Sequence, residues 1–497
     1  MKIILLSLLP TTENFGIKYI HSYLLSKGHD SSVVFLPRHT EQALCAVTDF
    51  ITAFKPDAVG CGVMTYEAPF AQRLGAAIKK KFPDLPFIAG GIHPTINPEE
   101  CLEYADIVCV GESEEAIFDF AEAFDKKLDW RKINNLVYRD NGTVVKNPLR
   151  PLIEDLDALP FPGHLPEKAY ICHGKRIVAL SMDLFRRYTR YDGKAYNVIS
   201  SRGCPFSCSY CCNSFLSRLY ESKKIRKRSP GNVIQELKTV IDRFPDMILI
   251  NIHDDCFLAQ PADWHREFAE EYKKSIARPF IVRSTPLHLT EEKIALLKDA
   301  GLAWVTMGLQ SGSENTNQNI FLRRVSNDKF LEATGLAKKY GVSGYYDVIL
   351  DNPFESDQDV IETLHVLKRV PKPFQLQLFS LTFYKGTDIY TMFKEKFGPE
   401  AQPEVRNYFG YKRTFLNKLV RITPLIPETW VDYFISHRAK PGIRILFNCS
   451  YAFIALVLEP LSFFYLMLAS FRNNLLLTLK IALPTFKTKI RERLFNF

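Results

Sequence analysis

Three cysteines, Cys204, Cys208 and Cys211, crowd into the segment SSRGCPFSCSYCCNS, directly behind an apolar run that reads as a strand. A loop that short, shaped by Gly203 and Pro205, can turn three thiolates towards one point. Four irons need four ligands, so three cysteines would leave one iron of a cluster open to a substrate. Tyr210, just before the third cysteine, can shield such a cluster. Zinc is the competing reading, and it wants a fourth ligand. Adjacent Cys212 is poorly placed for that if neighbouring side chains point apart; it reads as structural, or as a hydrogen-atom donor near the site.

The remaining eight of the eleven cysteines are scattered, which speaks for a reducing cytosol and a metal site and against a disulfide framework. At 497 residues the chain suggests two to four domains. Hydrophobic residues at 46% and charged residues at 24% are globular composition. The net charge of +9 is modest and comes with no motif that reads nucleic acid, so no nucleic-acid partner is expected. The opening MKIILLSLLP lacks a following cleavage site and reads as a first buried strand.

Residues 1–125 alternate strands (Ile3–Leu9, Ser32–Leu36, Ala58–Met64, Pro86–Ala89, Asp106–Val110) with helical stretches (Gly16–Lys27, Gln42–Phe54, Ala68–Lys81, Pro98–Tyr104, Glu114–Phe124). Such alternation predicts a parallel sheet covered on both faces, with ligands at the carboxyl ends of its strands. Those ends carry Thr65, Gly90–Gly91 and Gly111–Glu112. Proline-rich residues 146–170 read as a linker. A second series has strands at Asn197–Ser200, Met247–His253, Phe280–Arg283, Trp304–Leu309, Gly344–Leu350 and Gln375–Leu381, which suits a partial barrel. The expected division is therefore 1–145, a linker 146–194, a barrel 195–395 and a helical region 396–497, with 404–440 helical and basic.

The pattern Cys-x-x-x-Cys-x-aromatic-Cys after Ser-Arg-Gly resembles the radical S-adenosylmethionine superfamily, and the resemblance extends over residues 195–395. Asp254-Asp255-Cys256-Phe257 is similar to the family's acidic segment after the second barrel strand. Gly308-Leu-Gln-Ser-Gly-Ser-Glu314 is similar to its Gly-x-Glu-Ser-Gly-Ser-Glu segment, with Gln310 where Glu is commoner. Ile349–Glu355 resembles the Gly-x-Pro-x-Glu strand end with Asp351 in place of Gly, and Lys385-Gly-Thr387 stands where Pro-Gly-Thr is frequent. The resemblance implies a [4Fe-4S] cluster on Cys204, Cys208 and Cys211. It also implies S-adenosylmethionine contacts from Tyr210, Asp254, Asp255, Gln310, Ser311 and one of Arg323 and Arg324, the arginine pairing the methionyl carboxylate. On the residues alone, Asp254 and Asp255 could instead cap a helix, and one arginine must point away.

Pro56–Phe118 resembles the cobalamin-binding domain found ahead of many such enzymes, carried by Gly60–Thr65, Gly90-Gly-Ile-His-Pro-Thr95 and Gly111–Glu114. The fold this implies is α/β: a flavodoxin-like, Rossmann-like cobalamin domain, a partial (β/α)6 barrel and a helical C-terminal region. Thr65, Gly90, Gly91, His93, Gly111 and Glu112 are the implied cobalamin contacts, His93 at the corrin periphery or nucleotide tail. The loop Pro10–Gly16 lacks the histidine of the family's Asp-x-His-x-x-Gly motif, so a lower axial ligand is not expected from it. A flavodoxin-like domain without ligand is the plain alternative.

Residues 451–471 are apolar and long enough to span a bilayer, but Glu459 and Pro460 near the middle argue against a simple span. A helix pair in the membrane interface, flanked by Lys440, Arg444, Arg472 and the terminal KTKIRER, fits better; a helical cap on the barrel or a dimer face is the alternative. The two resemblances together imply a cobalamin-dependent radical methyltransferase acting on an unactivated carbon of a lipid-like or secondary-metabolite substrate. Its electrons would come from flavodoxin or ferredoxin, and it would be cytoplasmic, at most peripheral to a membrane. Radical cyclisation, ring rearrangement or oxidation without methyl transfer is one rival, and a non-catalytic cobalamin or redox sensor the other. No catalytic side chain is identified from the sequence.

Overall fold

The computed structural model describes residues 1–404, 410–470, 478–479 and 482–483. The described residues divide into two compact units: Met1–Tyr196 with the short segment Arg218–Ser222, and Asn197–Ser217 with the described residues from Lys223 on.

The first unit is built on nine strands: β1 (Lys2–Ser7), β2 (Asp30–Phe35), β3 (Ala58–Gly62), β4 (Phe87–Gly90), β5 (Ile107–Cys109), β6 (Leu136–Asp140), β7 (Thr143–Lys146), β8 (Ala169–His173) and β9 (Arg176–Ala179). Their order is β7-β6-β5-β4-β3-β1-β2-β8-β9, with β2-β1-β3-β4-β5 parallel, the flavodoxin-like arrangement. Helices Phe15–Ser26, Glu41–Phe54, Ala68–Lys81 and Glu114–Asp125 lie where the period-3.6 pattern put them, and strand residues such as Ile3, Ile4, Val33, Val34, Val59 and Ile88 are buried on both faces.

Two hairpins extend this sheet beyond the sequence expectation. β6 and β7 turn through Asn141 (φ 47°) and Gly142 (φ 84°), the positive-φ pair a tight right-twisted hairpin requires. β8 pairs parallel with β2 and antiparallel with β9, so part of the segment expected as linker 146–194 is sheet. The proline-rich stretch before it packs as a strap, with Leu156 and Leu159 buried against Tyr19. Proline removes ladder donors, which explains the absence of strand there but not of packing.

The second unit's sheet runs β10 (Ala195–Val198), β13 (Leu249–Ile252), β14 (Phe280–Ser284), β15 (Leu302–Gln310), β16 (Ser343–Leu350) and β17 (Gln375–Ser380) in that order, a six-stranded partial barrel. A two-residue pair, β11 (Ser201–Arg202) and β12 (Arg226–Lys227), brackets the cysteine loop. Helices cover the outer face; Phe330 and Phe268, for example, pack on Tyr346 and Phe280.

The described C-terminal helices up to Ala469 group with this second unit. Helices Phe415–Ile422 and Glu428–Ser436 follow residues 405–409, a part of the expected helical segment that lies outside the described residues. Lys368 ties the barrel helix Asp357–Lys368 to Asp432 at 2.6 Å. Pro441–Ala469 is one helical run of 29 residues, not the interrupted pair expected. Proline cannot donate to the carbonyl four residues back, and the chain absorbs this with a π-helical turn, Ile454–Leu458, just ahead of Pro460. Glu459 is tolerated because Arg421 donates to its carboxylate at 3.0 and 2.8 Å. Arg472 and the terminal basic run lie outside the described residues.

Removing one partner of this half-buried pair leaves an uncompensated charge. Arg421→Ala is expected to destabilise the unit by about 1–3 kcal/mol in urea denaturation. The Arg421→Ala/Glu459→Ala double variant should lose less than the sum of the two single changes.

Candidate active site

The cysteine loop is held at both ends. At its start, the Asp254 carboxylate, 1% exposed, accepts from the Ser200 backbone N–H (2.7 Å), the Ser200 and Ser201 hydroxyls (2.5 and 2.6 Å) and the Gln260 amide (3.3 Å). Burial pushes this carboxyl up to about 6, against those hydrogen bonds. At the other end, Ser209 donates through its N–H to Phe321 O (2.9 Å) and through its hydroxyl to Ile320 O (2.5 Å), while Ile389 N–H donates to Ser209 O. Tyr210 packs edge-on to Phe321 at 4.9 Å, within an apolar group with Ile349, Leu381 and Ile389.

Between these anchors stand Cys204, Cys208 and Cys211, all partly buried. Burial pushes the Cys204 and Cys208 thiols up; at Cys208 the Arg323 guanidinium opposes it. Cys211 is pushed up by its hydrogen bond with Cys212 and by burial. That hydrogen bond corrects the expectation that the neighbouring side chains point apart: Cys212 opens the helix Cys212–Leu219, where successive side chains are closer in angle than on a strand. Among the described residues, no three of His, Cys, Asp and Glu meet at the spacing of a single metal ion. Three soft thiols on one short loop, with Cys211 acting electrically on both Cys204 and Cys208, are a donor set that fits a cluster.

Asp255 departs from its neighbour. It is exposed, yet ringed by protein, and its carboxyl is raised by burial against a hydrogen bond from Asn213 and the charge of Arg283. It faces Cys204, Cys211 and Cys212 closely enough to shift them. Asp254, expected at S-adenosylmethionine, is instead consumed in anchoring the loop.

The end of β15 is irregular. Gln310 has φ 69° at a register shift, and its amide folds over Gly308, where a Cβ would lie 2.0 Å from it. Ser311 is buried and donates to Glu355 at 2.5 Å. Burial raises the Glu355 carboxyl to about 7. Asp351, in place of the family's glycine, keeps the left-handed φ of 59° and offsets it by accepting from Ser380 (2.9 Å), Lys412 N–H (2.8 Å) and Asn417 (3.0 Å).

Arg323 is buried, donates to Gly308 O at 2.7 Å and acts electrically on Cys208 and Asp347; Arg324 is exposed, so of the two only Arg323 stands in the site. A buried cation beside a cluster thiol fits a ligand carboxylate.

Groups not singled out from sequence share this recess. Arg283 donates to His253 Nδ1 at 2.5 Å, and His288 lies beside both Phe206 and Cys256. Asp347 Oδ1 is buried without a hydrogen-bond partner, and burial raises its carboxyl to about 7 against Arg283 and Arg323. Period-2 alternation in β14 and β16 was the available signal for Arg283 and Asp347.

In the first unit, Thr65 opens a short turn after β3, flanked by exposed Met64 and Tyr66. Gly91 (φ 100°) approaches Val63 so closely that a Cβ would lie 3.0 Å from its carbonyl oxygen, while Gly90 has room for one. This apolar, glycine-lined strand end beside the β1/β3 switch point fits a broad flat ligand such as a corrin. Three expected contacts do not fit so well. His93 is buried on the helix Ile92–Ile96, its nitrogens facing Asn97 (3.4 Å) and Glu100 (3.6 Å). The hollow at Gly111 is filled by the Tyr220 hydroxyl, which accepts from Glu112 N–H at 3.0 Å. Glu112 also receives Ile153 N–H, which ties its carboxylate to the strap.

Comparison with known proteins finds a domain family on each part of the chain. The B12 binding domain family matches residues 1–121, and the Radical SAM superfamily matches residues 198–367. An uncharacterised methyltransferase of Pyrococcus horikoshii is 26% identical over 413 residues, 78% of this chain and 82% of that one. The anaerobic magnesium-protoporphyrin IX monomethyl ester cyclase of Rubrivivax gelatinosus is 28% identical over 317 residues, 60% of this chain and 52% of that one. In fold, the chain is similar to the cobalamin-dependent S-adenosylmethionine radical enzyme OxsB, solved with aqua-cobalamin and S-adenosylmethionine, at a TM-score of 0.65 and 16% identity over 93% of this chain and 72% of that one.

The raised Asp347 carboxyl sets a pH test. Its ionised form is disfavoured in the folded state, so its cost to stability is absent below the unfolded value of about 4, grows between there and about 7, and is constant above. Asp347→Asn should therefore raise the thermal midpoint of the cluster-free protein at pH 8, and the gain should shrink as the pH falls and vanish only near pH 4 and below.

Proposed function

The chain belongs to the radical S-adenosylmethionine enzymes that carry a B12-binding domain, and we propose that within them it methylates an unactivated carbon of a lipid-like or secondary-metabolite substrate. When bound, the [4Fe-4S] cluster supplies the electron that splits S-adenosylmethionine, and cobalamin carries the methyl group to be transferred.

The chain's own residues bind, orient and shelter. Cys204, Cys208 and Cys211 hold the cluster, and Tyr210 closes it off on the side of Phe321. Arg323 takes the methionyl carboxylate, because a buried guanidinium already fixed on Gly308 O loses little freedom on binding an anion. Asp255, accessible in its recess, accepts from the amino group or a ribose hydroxyl. Gln310 offers its amide at the end of β15. In the first unit, Thr65, Gly90 and Gly91 receive the corrin, Gly90 because no side chain stands there and Gly91 because its positive φ lets the strand end close on Val63. No side chain is assigned a proton- or hydrogen-transfer role. Reducing equivalents come from a flavodoxin- or ferredoxin-type donor, and a membrane surface is a second partner.

The observation that carries this reading is the pairing in one chain of a thiol loop beside a buried arginine with a B12-binding sheet, matched across both parts by a methyltransferase relative. Radical cyclisation is the second reading, favoured by the identity to the cyclase.

Protein purified and reconstituted without oxygen, given cobalamin, dithionite and S-adenosylmethionine, should form both 5′-deoxyadenosine and S-adenosylhomocysteine. Cys208→Ala should abolish the deoxyadenosine. Deoxyadenosine without S-adenosylhomocysteine would overturn methyl transfer and leave cyclisation.

A further inference from the structure

The helix Pro441–Ala469 has two apolar faces, and the second unit covers only one of them. Phe447 and Ile454 are buried, Phe463 lies 5.9 Å from the Trp304 ring, Ser462 lies 3.5 Å from the Gln375 amide, and Glu459 is held by Arg421. The opposite face carries Ile445 and Leu456, each 68% exposed, with Phe453, Val457, Leu461 and Tyr465. A contiguous exposed stripe of this size marks a contact surface rather than scattered surface apolarity.

Charge and aromatic placement select the partner. The helix carries only two charged residues, Arg444 and Glu459, and the acid is neutralised inside the unit. At the helix's beginning stand exposed Lys440 and Arg444, and Lys418, which donates to Asn448 at 2.8 Å. Exposed Trp430 and Tyr433 lie on the preceding helix. Basic groups and amphipathic rings beside an apolar stripe match an anionic headgroup layer over acyl chains.

We propose that the outward face of Pro441–Ala469 docks the enzyme on an anionic lipid bilayer, with the helix lying in the interface and not crossing it. The inward face is already committed to Trp304, Gln375 and Arg421, so crossing would expose Glu459 and Arg421 to hydrocarbon. An interfacial helix instead sinks by about half its diameter, which is the half left open. This deepens the lipid-like-substrate reading and rests on it only for its purpose, since docking itself needs no substrate.

The test uses the full-length, cluster-reconstituted protein and vesicles of phosphatidylcholine with or without phosphatidylglycerol. Flotation with the anionic vesicles, weakened by salt, together with quenching of Trp430 fluorescence by brominated acyl chains, is the expected result. Leu456→Glu/Leu461→Glu should weaken binding at least about tenfold with an unchanged thermal midpoint. Failure to float with anionic vesicles, or flotation that resists alkaline carbonate as a spanning helix would, overturns the proposal. A concentration-dependent dimer that the same two substitutions abolish, without vesicle binding, assigns the stripe to a second copy of the chain instead. Deoxyadenosine and S-adenosylhomocysteine formation in vesicle-free solution reports separately on methyl transfer, so the two readings fail independently.

Discussion

A loop of three thiols contributes little packing of its own, and its direction is set by one buried carboxylate. Asp254 has left water completely, and its desolvation is offset only if its donors are all in place. The Ser200 N–H, the Ser200 and Ser201 hydroxyls and the Gln260 amide therefore lock the point where the chain leaves the sheet to the loop that follows β13. The far end is fixed by Ser209 on the Ile320 and Phe321 carbonyls. Because Phe321 stands two residues before Arg323, the second anchor also delivers the guanidinium to Cys208. The thiols and the cation are positioned by the same few bonds, the kind of supporting shell a preorganised site requires.

Much of this architecture was legible in the sequence because parallel strands buried on both faces write themselves as short apolar runs. All six barrel strands and the first five of the front sheet fall where those runs lie. The Asn141-Gly142 and Gly174-Lys175 hairpins carried readable turn signals, but their strands are short, partly exposed and weakly patterned. At the site, the cysteines were legible because no common structural role clusters three thiols at that spacing. Neighbouring pairs were not. Asp254 and Asp255, like Arg323 and Arg324, are identical in type and adjacent, and only backbone direction decides which is buried. Ser311 and His93 show the other blind spot: a motif residue can be buried on partners within the chain, Ser311 on Glu355 and His93 beside Asn97 and Glu100.

The barrel interior was obscured for a different reason. Residues paired across β14–β17 share a face, giving the layers Arg283–Thr306–Tyr345–Gln375 and Gly308–Asp347–Gln377, while Val282, Val305 and Val348 alternate to the other side. In an open sheet such alternation means one face in water. In a partial barrel the polar face turns inward, and the same pattern describes a chamber. Burial raises the carboxyls of its acidic members Asp347 and Asp255, and the Arg283 charge opposes both shifts.

That chamber is graded from end to end. Cys204, Cys208 and Cys211 lie beyond the carboxyl ends of the strands, and Asp347 and Gln377 form a polar layer beneath. The layer nearer the strand beginnings is Ile281, Trp304 and Ser343, covered by Phe463 of the long C-terminal helix. Polarity falls along the strands away from the cluster loop. The helix that supplies Phe463 to this apolar layer exposes its other side as a second apolar stripe. One element therefore presents apolar surface to both the chamber and the outside, and the half-buried Arg421–Glu459 pair lets it do so without tearing away from the unit.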